Sequence, residues 1–117
     1  LGLLRNGYAL LAHYLMFPDK YESNIYFDKI IYRRDFEMLP IEWHTKNFDE
    51  INNNIANFVV LDIPKKSLSL KAKMQYYLTS KLDDVCDIFS TSKTLSLDCF
   101  MRREKKLKSV LLDYFKK

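Results

Sequence analysis

Glycine is nearly missing from this chain of 117 residues. There are two, Gly2 and Gly7, and none from Tyr8 to Lys117. Glycine reaches positive φ without steric cost, and the tight primed turns of two-residue hairpins lean on it. A glycine-free run of this length argues against a meander, sandwich or barrel. It also removes glycine-rich phosphate cradles, since neither GxGxxG nor GxxxxGK[ST] occurs.

Cysteine and histidine are as sparse. Cys86 and Cys99 do not make a disulfide framework, and with no signal peptide they point to a reducing compartment, cytoplasm or nucleus. His13, His44, Cys86 and Cys99 stand in no CxxC, HxxxH or HExxH spacing, so neither a metal nor another cofactor is expected. No apolar run approaches the roughly 18 residues of a membrane span. The longest lies in Tyr8–Phe17, interrupted by His13 and stopped by Pro18. A soluble chain is expected. It begins at Leu1, not Met, and reads as one helical domain over 1–117 that is a fragment of something longer.

What is present is core material and positive charge. Hydrophobic residues make up 48%, including eight Phe, eight Tyr and one Trp, which is enough to bury a core without a staple. The net charge of +4 is uneven: residues 1–58 hold six Lys/Arg and eight Asp/Glu, whereas 59–117 hold thirteen and seven. Basicity belongs to the second half, where it bears on partners and not on fold.

Periodicity predicts a helix over Leu3–Phe17, with Leu4, Tyr8, Leu11 and Leu15 on one stripe. Residues 25–39 fit a helix, with Phe27, Ile30, Ile31 and Met38 on one face, although Ile25-Tyr26-Phe27 and Ile30-Ile31-Tyr32 also suit strands; helix is preferred. Asn47 followed by Glu50 gives a near capping box before a short helix lined by Phe48, Ile51 and Ile55. Phe58–Ile63 is the best strand, closed by Pro64, with Ile41–His44 its nearest candidate partner. Ser67 or Ser69 opens a helical stretch reaching Phe89. After the polar break 90–94, Ser96 caps a last helix to about Phe115, with Phe100, Leu107, Leu111 and Tyr114 inward. The fold expected is mainly α, four to five helices with at most a small two- or three-stranded sheet. The alternative is an α+β winged-helix-like arrangement.

The sharpest local feature is Arg102-Arg103-Glu104-Lys105-Lys106-Leu107-Lys108. Its cations spread around the helix at about 100° per residue. Arg102, Arg103, Lys105, Lys106 and Lys108 are therefore the candidate binding residues for an acidic partner surface or for phosphates. Helix, break and helix across 82–115 has helix-turn-helix spacing, but the N-terminal residues Leu97, Asp98 and Cys99 are poor readers of base edges. Trp43, Tyr76 and Tyr114 are candidate interface aromatics, because such rings combine large buried area with a polar tip.

Catalytic patterns come close without fitting. Arg5 and His13, with Asn6 between them, resemble the Arg-x(4–6)-His pair of HEPN-type ribonucleases. Here seven residues intervene, and the side chains stand about 80° apart on an ideal helix. Pro18-Asp19 with Glu104-Lys105-Lys106 resembles PD-(D/E)xK nucleases only in residue types, since the two parts lie far apart. The expectation is a non-enzymatic interaction or adaptor module. It would bind a protein partner, or a second copy of itself, through surface aromatics and a basic C-terminal helix. A nucleic-acid-binding module using Arg102–Lys108 is the alternative, and no membrane contact is expected.

Overall fold

Prolines and short polar residues fix where the elements begin. The computed structural model describes residues 2–16, 26–61, 69–80 and 94–116. Among them are helices α1 (Gly2–Met16), α2 (Arg33–Phe36), α3 (Phe48–Asn52), α4 (Leu70–Ser80) and α5 (Leu97–Phe115), with strands β1 (Tyr26–Lys29) and β2 (Phe58–Leu61). The protein is mainly α with a small antiparallel sheet.

Three helix starts follow their side chains. Asn47 N–H donates to the Glu50 carboxylate at 3.1 Å, the return bond of a capping box. Ser69 Oγ accepts from Ala72 N–H at 3.2 Å, and Ser96 Oγ from Cys99 N–H at 3.3 Å. The continuation of α4 towards Phe89, and with it Cys86 and the first helix of the helix-turn-helix spacing, lies outside the described residues.

Two expectations of secondary structure are corrected. Residues 25–39 are not one helix. β1 pairs with β2 in the register Tyr26↔Leu61 to Lys29↔Phe58, and only four residues of α2 follow. The pairing is extended by Asn57, whose side chain copies a strand. Its Oδ1 accepts from Ile31 N–H at 2.8 Å, and its Nδ2 donates to Ile31 O at 2.9 Å. Its backbone carbonyl accepts from Ile30 N–H at 2.9 Å. Ile30 and Ile31 are both buried, and a partner 26 residues away decides their conformation over local propensity.

The second correction concerns Ile41–Thr45, which is a 3₁₀ turn and not the partner of β2. Pro40 opens the turn, and Trp43 N–H donates to Pro40 O at 3.0 Å. The turn delivers one ring inward while Ile41, Glu42, His44 and Thr45 stay exposed. Trp43 meets Phe100 edge to face, with centroids 5.4 Å apart.

The core gathers Trp43, Phe100, Tyr77, Ile30, Ile31, Ile51 and Val59 from both ends of the sequence. α5 packs on α1 and on the 3₁₀ turn Ile55–Asn57, and α1 also touches that turn and β2. The packed face of α1 is Ala9, Ala12 and His13, not the expected stripe through Tyr8. Small residues there let the helix approach closely, which leaves Tyr8 outside. No helix among the described residues is long and apolar enough to cross a membrane.

Candidate docking site

Charge is handled inside this molecule before any surface is reached. Lys73 of α4 is 0% exposed. Its ammonium donates to Ile30 O at 2.6 Å and to Asp35 Oδ2 at 3.0 Å, and lies 4.7 Å from the Tyr32 ring centroid. Burial pulls the Lys73 pKa below its ordinary value, and Asp35 opposes that shift. Asp35 also accepts from Tyr32 N–H at 3.0 Å, so one carboxylate starts α2 and neutralises α4. The Tyr32 hydroxyl donates to Asp28. Burial, then the bond and charge of Asp28, push the phenol up to about 12. The second Asp28 oxygen and the Trp43 indole N–H are buried with no hydrogen-bond partner among the described residues.

Arg103 corrects the expected cationic surface. It is 3% exposed and belongs to the interior. Its Nε donates to Ala56 O at 2.9 Å and its Nη2 to Phe58 O at 2.8 Å. The guanidinium thereby holds two carbonyls where the Ile55–Asn57 turn becomes β2. It shares a helix face with Phe100 and Leu107, at i, i+3 and i+7, so helical geometry turns it inward with the core residues.

The other predicted cations do face solvent. Arg102 is exposed, with Nη2 3.7 Å from Cys99 Sγ. Lys105 is exposed and has no partner among the described residues, and Lys106 is exposed. Lys108 pairs with Glu104 at 3.1 Å on the same helix. Asp98 and Glu104 line the same shallow hollow as Arg102 and Lys105, so the positive strip is interrupted.

The aromatics divide as well. Trp43 is fully buried, which corrects its candidacy as an interface residue: its ring fills the core against Phe100. Tyr76 is half-buried against the core cluster. Tyr114 is 45% exposed and packs edge to face on Phe115, centroids 5.3 Å apart. His13 is buried on α1, and the Arg5 side chain lies outside the described residues. His44 is exposed, with Nε2 3.2 Å from Leu39 O and its ring against Phe36. Among the described residues no cluster of three or more His, Cys, Asp or Glu could hold a metal ion.

Between α1, α3 and α5 runs an open groove of about 600 Å³. Tyr8, Ile55, Leu111, Leu112 and Phe115 supply its apolar surface, and Asp49, Glu50, Glu104 and Lys108 its charges. Tyr8 and Phe115, both lining the groove, meet edge to face at 6.0 Å. Leu112 and Phe115 are each 59% exposed, which is unusual for neighbouring large side chains lining one hollow. Asn54 bridges the walls. Its Oδ1 caps the Ile55–Asn57 turn through Ala56 N–H at 2.9 Å, and its Nδ2 donates to Glu104 at 2.6 Å.

Sequence reasoning missed Tyr8, Asp49, Glu50, Leu112 and Phe115 as site residues. The signal for two of them was present. Leu112 and Phe115 continue apolar after the inward stripe has been served by Phe100, Leu107 and Leu111, an excess of apolar residues for one buried face. Compared with family models, with curated proteins and with solved structures, the chain matches none, so its functional reading rests on its own geometry.

Proposed function

We propose that this chain is a non-enzymatic protein-interaction module that docks a partner in the groove between α1, α3 and α5. The observation carrying this reading is the convergence of Tyr8, Leu112 and Phe115, all about half exposed or more, on one hollow of about 600 Å³. Aromatic and aliphatic anchors around a concave apolar floor, rimmed by charge, are what protein hot spots use. Lys108 stands on the α5 wall, and the exposed Lys105 and Arg102 continue the helix away from it as a polar margin.

The nucleic-acid reading has less to draw on. With Arg103 committed to Ala56 and Phe58, the cationic strip loses one of its five expected phosphate contacts, and the exposed Lys108 is shared with Glu104.

Site-specific photo-crosslinking separates the two. A photoreactive residue at Leu112 is compared with one at Lys71, an exposed position on α4, in lysate of the source cells. The docking reading expects a discrete, nuclease-resistant protein adduct from position 112 and none from 71. Adducts at neither position, or only nuclease-sensitive ones, would overturn it.

A further inference from the structure

We infer that the occupant of the groove is an amphipathic α-helix carrying lysine or arginine on the flank that faces α3. This rests on the docking reading above and names the partner's chemistry.

The walls decide the backbone of the occupant. The described lining residues come from α1, α3, α5 and the stretch 53–55 after α3, and none belongs to β1 or β2. Among the described residues the groove therefore presents no sheet edge to which a strand could be added. A chain lying on an apolar floor must satisfy its own backbone, and the helix is the conformation that does so within one segment.

The floor decides the spacing. Lys108, Leu111, Leu112 and Phe115 stand at i, i+3, i+4 and i+7, one stripe about 10 Å long on α5. A helix laid along that stripe meets it with apolar side chains at i, i+3 or i+4, and i+7.

The rim decides the charge. On α3, Asp49 is exposed and its carboxylate has no partner among the described residues. Glu50 beside it is half exposed, accepting from Asn47 N–H and standing 3.9 Å from Lys46. The cation among the described lining residues, Lys108, is already paired with Glu104. Among the described residues the unmatched charge of the groove is thus negative and sits on one wall, although the whole chain carries +4. A cation on the occupant's α3-facing flank meets Asp49, and an anion there is repelled.

Three short fluorescent peptides test this by anisotropy titration against the intact chain. One is an alanine-based helix with leucines at i, i+4 and i+7 and lysines on one flank. The second replaces those lysines by glutamates. The third has the composition of the first with the leucine stripe broken. The lysine peptide is expected to bind, the glutamate peptide at least roughly tenfold more weakly, and the broken stripe not measurably. Asp49→Asn should remove the difference and Asp49→Lys should invert it. Equal affinity for the lysine and glutamate peptides, or for the broken stripe, overturns the inference. Binding of none of the three while the Leu112 adduct persists also overturns it and leaves the docking reading standing. Loss of the adduct as well removes both.

Discussion

Two regions of this molecule treat their side chains in opposite ways. Around α2 and α4, and at the middle of α5, charges are drawn inside and paired: Lys73 with Asp35 and Ile30 O, Arg103 with Ala56 O and Phe58 O. At the groove, apolar side chains are pushed outside: Tyr8, Leu112 and Phe115 are half exposed or more. Burying a cation costs several kcal/mol unless its partners are well placed, and exposing a Leu or Phe forgoes about 1.5–3 kcal/mol of burial. The first region spends its polar groups on holding the fold in one register. The second leaves apolar surface uncovered, which gains nothing for the isolated chain and suits a surface that becomes covered later.

The largest way to break the contrast is Lys73→Ala. It leaves the buried Asp35 with only the longer Arg34 Nε contact at 3.7 Å and the Tyr32 N–H, and about 3 kcal/mol of stability should disappear in a urea titration. Lys73→Met combined with Asp35→Asn should recover part of that, because the Asp35 charge goes with its partner while the nearby Asp28 carboxylate still loses the attraction of Lys73. Arg103→Ala comes next. Two buried carbonyls lose their donor, a cost of about 3 kcal/mol, and Arg103→Lys should restore only part of it since an ammonium lacks the fork that reaches both. A loss under about 0.5 kcal/mol would mean that Arg103 belongs with the surface cations after all.

A smaller effect appears with pH. The Tyr32 phenol, raised from 10.0 to about 12, keeps its proton in the folded state while the unfolded chain releases it. The unfolded state therefore binds fewer protons between pH 10 and 12, and stability falls across that window. Lys73, with its pKa lowered below 10.5, works in the opposite sense and adds stability as pH rises towards that value. Tyr32→Phe should flatten the decline above pH 10 in alkaline unfolding curves, and an unchanged slope would contradict the assignment. The smallest change in stability belongs to the groove: Leu112→Ser should move the urea midpoint by no more than about 0.5 kcal/mol while abolishing the crosslinked adduct.

Much of this fold was legible, and the failures share a cause. Ser96, Asn47 and Ser69 announced their helices because capping is local chemistry, read within three residues. The strand at Phe58 was legible from its β-branched run. Its partner was not, because the pairing of residues 26–29 with 58–61, and its extension by Asn57 onto Ile31, are long-range contacts that no periodicity encodes. The same limit explains Arg103 and Trp43. Charge and aromaticity suggested the surface, whereas helix phase set Arg103 beside Phe100 and Leu107, and the turn after Pro40 sent Trp43 inward. The groove was half legible. The surplus of apolar residues at the end of α5 was visible, but the acidic wall supplied by α3 and the Tyr8 cover supplied by α1 come from tertiary packing alone.

The central claim, that the α1–α3–α5 groove is where a partner docks, is tested most directly by an amide NMR titration with the lysine-flanked helical peptide. Shifts confined to Tyr8, Asp49–Ile55 and Lys108–Phe115, saturating together, are the predicted result. Shifts centred on Arg102 and Lys105 with the groove unmoved would contradict it.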